Sequence, residues 1–154
     1  MINVALYEPE IPPNAGNIIR LCANTGARLH MIEPLGFELD DKRLRRAGLD
    51  YHEWARVERH SSLATLLAGH RFGRVLGITT KGCTRYTDIK YRSDDLLLFG
   101  PETRGLPDTL LSDLPPAHRV RIPMQPESRS INLSNAVSIL VYEVWRQQGF
   151  AGGN

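Results

Sequence analysis

Short apolar runs alternate with amphipathic stretches along most of this chain. Five of these runs have the length and composition of strands: Ile2–Tyr7, Arg28–Ile32, Arg74–Thr79, Leu96–Phe99 and Arg119–Ile122. Between them, apolar residues recur at the three- and four-residue spacing of helices. This alternation predicts an α/β fold with a mostly parallel sheet flanked by helices. No repeat, linker or change in composition divides the sequence, so we expect a single domain over residues 1–154.

The helices are predicted from their periodicity and from the signals at their ends. The first begins with Asn14 as its cap, ends at Gly26, and has an apolar face of Ile18, Leu21, Cys22 and Thr25. The longest, Leu133–Gln148, has an apolar stripe of Leu133, Val137, Leu140, Val141 and Val144. Weaker patterns predict a short basic helix or turn at Leu39–Ala47, a short strand at Trp54–Glu58, short helices at Ser61–Ala68 and Pro107–Leu111, and a long polar connection at Thr80–Asp95.

The most informative stretch is Leu96–Pro107, with the sequence LLLFGPETRGLP. Its apolar half is typical of a strand that is buried on both faces. The strand pattern stops at Gly100-Pro101 and is followed by charged residues and a second glycine, Gly105. A buried strand that ends in such a loop is where an open α/β sheet binds its ligand.

Two further apolar strands end in loops of the same kind. Thr79–Gly82 follows the strand at 74–79, and Pro123–Asn132 follows the strand at 119–122. Parallel strands place their carboxyl-end loops at one edge of the sheet, so the three loops together predict a small-molecule site. Any one of them alone would be interpreted as an ordinary turn.

Composition and charge limit the class of protein. Of the 154 residues, 42% are hydrophobic and 23% charged, which is typical of a globular protein rather than a disordered one. No apolar run approaches the roughly 18 residues of a membrane span. Cys22 and Cys83 form no disulfide framework, so we expect a cytoplasmic protein. A net charge of +2 permits a nucleic-acid partner without requiring one.

Several common kinds of site are not supported. No GxGxxG follows the first strand, and GITTKGC lacks the GK[ST] ending of a phosphate loop. The serines lie in no nucleophile elbow. The five histidines have no metal-ligand spacing, so we expect no metal and treat them as ordinary side chains: His30, His52, His60, His70 and His118.

Two basic features are candidates for function. Arg20 shares a polar helix face with Asn17 and Asn24, and its helix follows the loop of the first strand. The run Lys42–Arg46, KRLRR, carries four cations without an acid. Such a run is usually a solvated surface, but it is also able to bind phosphates.

With these residues in place, the chain resembles the SPOUT superfamily of S-adenosylmethionine-dependent RNA methyltransferases. More closely, it is similar to the small tRNA 2′-O-ribose methyltransferases that modify the wobble nucleotide, cytidine 34 or a modified uridine 34, of leucine tRNAs. Three ordered motifs carry the resemblance: N-x-G-N-x-x-R at Asn14–Arg20, LLLFGPETRGLP, and IPM…SRSINLSNAVSI from Ile122 to Ile139. Ala15 departs from the family, which often has threonine there.

The resemblance implies a fold, a cofactor and an assembly. The C-terminal segment would thread a loop to form a deep trefoil knot, and two chains would form a homodimer with each active site near the interface. S-adenosylmethionine would bind in the knot, with no metal. Its expected neighbours are Ile78, Gly100, Ile122, Ser130, Glu102, Gly105, Asn132 and Leu133.

The resemblance also assigns roles in catalysis and RNA binding. Arg20 is the expected catalytic residue, either as a base or as a group that stabilises the alkoxide or orients a phosphate. Asn135 and Tyr142 would support the site or the dimer, or simply pack the helix. With no separate RNA-binding domain, tRNA would be held by the catalytic domain itself, with these candidates: Lys42, Arg43, Arg45, Arg46 and Arg129.

Two alternatives remain open at the level of sequence. The same chemistry on another RNA, such as ribosomal RNA, would use the same motifs. A non-catalytic α/β protein that binds RNA or a nucleotide would keep the loops but would not need Arg20.

Overall fold

One parallel sheet organises the chain, and the computed structural model describes all of its residues, 1–154. Its seven strands are β1 (Asn3–Tyr7), β2 (Arg28–Ile32), β3 (Glu58–His60), β4 (Arg74–Ile78), β5 (Thr84–Arg85), β6 (Asp95–Phe99) and β7 (Arg119–Arg121). The helices are α1 (Pro12–Thr25), α2 (Asp41–Arg46), α3 (Tyr51–Trp54), α4 (Leu63–Gly69), α5 (Asp108–Ser112) and α6 (Leu133–Gln147). None of the helices is long and apolar enough to cross a membrane.

The strands lie in the order β3-β2-β1-β6-β4-β7-β5, and every pairing is parallel. All five residues of β6 are buried, and its apolar run Leu96–Phe99 is typical of a strand with neighbours on both sides and layers on both faces. The predicted α/β fold with a mostly parallel sheet is confirmed.

The register brings three strand ends together. Phe99 of β6 pairs with Leu6 of β1 and with Ile78 of β4, and Ile78 pairs in turn with Val120 of β7. The loops that follow β4, β6 and β7 therefore leave the sheet from one row. We refer to residues 79–82, 100–105 and 123–132 as the three-loop edge.

Helices α1 and α6 cover one face of the sheet, and α4 and α5 cover the other. The larger core cluster joins Ile18 and Cys22 of α1 to Val137, Leu140 and Val144 of α6. Leu66 and Leu111 belong to a smaller cluster on the opposite face. The apolar stripe predicted for the last helix is confirmed, except that Leu133 is only partly buried.

The beginning of α1 differs from the prediction. The helix starts at Pro12, its capping position is Ile11, and no side chain caps it. Asn14 lies in the first turn and is buried. Proline in the first turn needs no hydrogen-bond acceptor for its nitrogen and has the φ of a helix, so Pro12 and Pro13 start the helix three residues earlier than a cap at Asn14 would. The predicted end is confirmed, because Gly26 has a φ of 76°.

Two weaker predictions were wrong. Tyr51–Trp54 is helical, with a capping box between Asp50 and Glu53, and the strand follows only at Glu58–His60. The segment Thr80–Asp95, predicted as a connection, contains the two-residue strand β5. Its pairing with β7 is a contact between distant parts of the chain that local pattern does not indicate.

A buried ion pair fixes the amino-terminal end of the sheet. Arg74 of β4 donates from Nε and an Nη atom to the two carboxylate oxygens of Asp95 of β6, at 2.8 and 2.7 Å. The Asp95 side chain is only 3% exposed. Because removal of one partner would leave a buried charge without compensation, this pair holds β4 in register beside β6.

Candidate functional site at the three-loop edge

Glycine is required where the loop after β6 turns. A Cβ atom on Gly100 would lie 2.3 Å from the Leu106 nitrogen and 2.4 Å from the Gly105 carbonyl carbon. Gly105 has a φ of 68°, in the left-handed region. The loop thus folds back tightly on the end of β6 and forms one wall of the three-loop edge.

The loop after β7 leaves most of its backbone free. Within residues 122–132, the only backbone hydrogen bond that an N–H donates is from Ser128 to the carbonyl of Gln125. The predicted neighbours Ile78, Ile122 and Leu133 pack here as half-buried members of the main core cluster. The edge therefore combines apolar side chains with unpaired peptide groups, the two features that hold a heteroaromatic ring in its binding site.

Two glutamates join the loops that follow β1 and β6. The Glu102 carboxylate accepts a hydrogen bond from the Glu10 backbone at 2.8 Å, and the Glu10 carboxylate accepts from Thr103 N at 3.0 Å and Oγ1 at 2.7 Å. Burial raises the pKa of the Glu102 carboxyl. Hydrogen bonds from Thr103 lower the pKa of Glu10. Glu102, a predicted cofactor neighbour, thus holds the wall of the site in place.

The two polar predicted neighbours in the last loop differ in their surroundings. Asn132 caps α6, because its Oδ1 accepts from the Ser134 backbone at 2.9 Å and from the Ser134 hydroxyl at 2.6 Å. Ser130 is exposed and its side chain forms no hydrogen bond. Asn132 is therefore committed to helix capping through its side chain, whereas Ser130 is free.

Arg20 is held in a defined orientation on the exposed side of α1. Its Nη2 donates to the Gly48 carbonyl at 2.6 Å and its Nε donates to Glu53 Oε2 at 3.2 Å. The other oxygen of Glu53 accepts from the backbone of Asp50 at 3.0 Å, which closes the capping box of α3. Within the chain, Arg20 forms no hydrogen bond with the three-loop edge. The Arg20 side chain remains 53% exposed, and its Nη1 atom forms no hydrogen bond within the chain.

The cations of the KRLRR run are not equivalent. Arg43 forms ion pairs with Glu38 and with Asp40, the residue that caps α2. The other three cations form no ion pair: Lys42, Arg45 and Arg46. A cavity of about 280 Å³ is bounded by Asp40, Lys42, Arg43 and Arg46 and has no apolar lining. Arg129, in the loop after β7, is exposed and unpaired.

The outer face of α6 carries an aromatic patch, formed by Tyr142, Trp145 and Phe150. The rings of Tyr142 and Trp145 meet edge to face at 5.6 Å, and those of Trp145 and Phe150 at 5.5 Å. Tyr142 is 47% exposed. Asn135 is also exposed and its side chain has no partner. Neither residue belongs to the buried core, and Tyr142 packs against Trp145 of the same helix.

A second cavity, of about 270 Å³, lies between α1 and the segment around α3. Cys22, Ala23, Asp50 and Glu53 are among its lining residues. It is separate from the three-loop edge but adjoins Glu53, which orients Arg20. Burial raises the pKa of the Cys22 thiol to about 12, so this thiol is unreactive.

Three histidines that appear unrelated in the sequence meet in the structure. His30 of β2, His60 of β3 and His70, directly after α4, surround the carboxylate of Glu58. Spacing along the chain does not reveal this cluster, because its members are brought together by the pairing of β2 with β3 and by the packing of α4.

Comparison with known proteins places this geometry in a family. The chain is 60% identical over 152 residues to the tRNA (cytidine(34)-2′-O)-methyltransferase of Escherichia coli strain K12, covering 99% of this chain and 97% of that protein. A structure described as giving insight into the 2-OH methylation of C/U34 on tRNA has 42% identity and a TM-score of 0.86, with 97% of each chain covered.

A more distant structure extends the comparison to the cofactor. The SpoU methyltransferase AviRb from Streptomyces viridochromogenes, in complex with AdoMet, has 25% identity and a TM-score of 0.80. It matches 100% of this chain, which spans 59% of that one. The expected α/β knot fold is confirmed by this match to a SpoU methyltransferase. Residues 1–142 match the pattern of the SpoU rRNA Methylase family, and the chain belongs to this family.

Proposed function

We propose that this protein transfers the methyl group of S-adenosylmethionine to the ribose 2′-hydroxyl of nucleotide 34 in tRNA. The observation that carries this proposal is the 60% identity, over nearly the whole chain, to a tRNA (cytidine(34)-2′-O)-methyltransferase. Leucine tRNAs with cytidine or a modified uridine at position 34 are the proposed substrates, as the resemblance of the motifs implies.

The three-loop edge fits an adenosine-containing cofactor. Its apolar side chains suit the faces of an adenine ring, and the free peptide groups of residues 122–132 suit its edge. When bound, S-adenosylmethionine supplies a methyl group already activated on a sulfonium. The residues proposed to hold it are Ile78, Gly100, Glu102, Gly105, Ile122, Ser130, Asn132 and Leu133.

Arg20 is the proposed catalytic residue. A guanidinium is a poor proton acceptor, so its contribution is to stabilise the negative charge that develops on the 2′-oxygen or to orient the adjacent phosphate. Gly48 and Glu53 direct its Nη2 and Nε atoms, which leaves the remaining donors to face the RNA.

The basic run and Arg129 are proposed to bind tRNA phosphates, so the single domain holds its own substrate. The unpaired cations Lys42, Arg45 and Arg46 would carry most of this contribution. Arg43 would carry less, because two carboxylates already neutralise it.

We propose that two copies of the chain form a homodimer in the cytoplasm. The exposed aromatic patch on α6 supplies apolar surface that an interface would cover. We further propose that the dimer places Arg20 of one copy at the three-loop edge of the other, a contact that one chain alone does not make. Tyr142 and Asn135 would then lie at or near the interface.

The test is transfer of a labelled methyl group from S-adenosylmethionine to tRNA, with the product located by nuclease digestion and mass spectrometry. We expect a 2′-O-methyl group on nucleotide 34 of leucine tRNAs. Labelling of ribosomal RNA instead would keep the chemistry and change the substrate. Cofactor binding without transfer to any RNA would favour the non-catalytic alternative.

Arg20→Ala tests the catalytic assignment, with Arg71→Ala as an exposed, unpaired control. We expect Arg20→Ala to lower kcat by about 100-fold or more, as loss of an oxyanion-stabilising donor does, with cofactor affinity unchanged. Loss of cofactor binding in a folded Arg20→Ala variant would show that the residue has been assigned to the wrong step.

A further inference from the structure

The histidine cluster lies at the opposite side of the sheet from the three-loop edge. In the sheet, β3 is the edge strand, and β2 and β1 separate it from β6. His30 pairs directly with Glu58, and His60 lies two residues further along β3, on the same face. The ring of His70 approaches from the end of α4, which covers that face.

Ligand atoms of His30, Glu58 and His70 all lie within 4.8 Å of one another, and His60 lies beside them. Glu58 Oε2 lies 3.2 Å from His30 Nδ1, 3.2 Å from His70 Nε2 and 3.6 Å from His60 Nε2. His30 Nδ1 and His60 Nε2 are 3.0 Å apart. Around a tetrahedral Zn²⁺ with bonds of about 2.0–2.1 Å, neighbouring ligand atoms lie about 3.3–3.4 Å from one another. The observed separations lie on both sides of this value.

From this geometry we propose that His30, Glu58 and His70 bind one Zn²⁺ ion. Two imidazole nitrogens and one carboxylate oxygen suit zinc and similar divalent transition metals, whereas Mg²⁺ and Ca²⁺ select oxygen ligands. Three protein ligands leave the fourth position of a tetrahedral shell for a water molecule.

The burial of His30 favours a metal ligand at this position. Its side chain is completely buried between Leu29 and Met31 of β2, its Nδ1 atom faces Glu58 and His60, and its Nε2 atom has no hydrogen-bond partner. A bond to a metal through Nδ1 offsets part of the cost of burying the imidazole.

Phe72 holds two of the rings in place. It stacks on His70 with ring centres 5.7 Å apart and an angle of 10°, and it meets His30 edge to face at 6.0 Å. Apolar groups around a metal fix the orientation of its ligands and restrict water. The side-chain exposure is 12% for His60, 24% for His70 and 40% for Glu58, which leaves a path for the ion to enter. Its effect would be to fasten the short edge strand β3 and the end of α4 to β2.

The experiment is a titration of the chelator-treated, full-length protein with Co²⁺, followed by displacement with Zn²⁺. We expect one Co²⁺ per chain, with the intense visible absorption of a four-coordinate ion. Saturation with Zn²⁺ at about 100 times its Kd should raise the Tm by about 5–10 °C.

His70→Ala and Glu58→Gln each remove one ligand from a partly exposed position, and His52→Ala is the matched control, since His52 is exposed and lies outside the cluster. Either ligand variant should weaken metal binding by about 100-fold or more and abolish the shift in Tm, while His52→Ala binds like the native chain. The proposal is overturned if the native protein shows no saturable one-to-one binding. It is also overturned if both ligand variants bind as the native protein does.

Discussion

Replacement of Gly100 by alanine tests the geometry of the three-loop edge directly. The added methyl group would lie 2.3 and 2.4 Å from two backbone atoms of the loop, neither of which is able to rotate away. Overpacking of this kind costs about 1–3 kcal/mol, and a clash with backbone places the expected cost near 3 kcal/mol. For a chain of this length each kcal/mol lowers the Tm by about 2–4 °C, so Gly100→Ala should lower it by about 6–12 °C.

Two other glycines provide matched controls. At Gly105 nothing lies within 4 Å of the added methyl group, and the cost is that of a left-handed backbone, about 1–2 kcal/mol. Gly16 is inside α1, where the nearest atom is Leu49 Cδ1 at 3.9 Å. Alanine is preferred there by roughly 1 kcal/mol, so Gly16→Ala should raise the Tm.

The assay is thermal unfolding of the three variants, followed by calorimetric titration of the folded proteins with S-adenosylmethionine. We expect the Tm to fall in the order Gly16→Ala, native, Gly105→Ala, Gly100→Ala. Displacement of the loop by Gly100→Ala should also weaken cofactor binding by at least about tenfold, whereas Gly16→Ala leaves it unchanged. If Gly100→Ala keeps the native Tm and the native affinity for S-adenosylmethionine, then the loop does not pack against Gly100 as closely as described.

Three further predictions follow from side-chain contacts. Replacing the three unpaired cations of the basic run by glutamine should reduce the magnitude of the slope of log K against log salt for tRNA binding by about 2–3. Arg43→Gln should change this slope little, because two carboxylates already pair with Arg43. Equal effects per cation would contradict the role given to these ion pairs. Glu53 accepts a hydrogen bond from Arg20 with one carboxylate oxygen and from the Asp50 backbone with the other, whereas glutamine has a single acceptor oxygen. Glu53→Gln should therefore position Arg20 less firmly and lower kcat by about 1.4- to 5-fold, the equivalent of about 0.2–1 kcal/mol. The Tm should be nearly unchanged. At pH 8, iodoacetamide should alkylate exposed Cys83 but not Cys22, whose pKa is raised from 9.0 to about 12 by burial. Because the Cys22 thiol ionises more easily in the unfolded chain, its contribution to the free energy of unfolding is complete below about pH 9 and is lost as the pH rises toward 12.

The order of apolar and polar residues predicts an element best where residues within that element determine its structure. The sequence places β2 at Arg28–Ile32 and β6 within one residue, because short, mostly apolar runs between turn residues have few alternatives to a buried strand. The end of α1 was also predictable, since glycine at positive φ is a local property. By contrast, the pattern at Trp54–Glu58 predicts a strand, whereas the capping box of Asp50 and Glu53 starts a helix at Tyr51 that reaches Trp54.

The sequence predicts at which edge of the sheet the proposed cofactor site lies. Three loops after three apolar strands implied a shared site, and the parallel register places those strand ends in one row. The sequence does not indicate which hydrogen bonds and ion pairs the individual side chains form. The clasp between Glu10 and Glu102 joins positions 92 residues apart, and the pairing of Arg43 with Glu38 and Asp40 depends on how the chain turns into α2.

By itself, the sequence determined the alternation of strands and helices, the family motifs and the candidate role of Arg20. These depend on residue type and on spacing within one element or one loop. Only the tertiary structure decided what Arg20 contacts, which cations remain unpaired, and that His30, His60 and His70 meet at Glu58. The physical reason is that hydrogen bonds, ion pairs and metal coordination act over about 2–4 Å. Such contacts exist only after the chain has brought distant residues together.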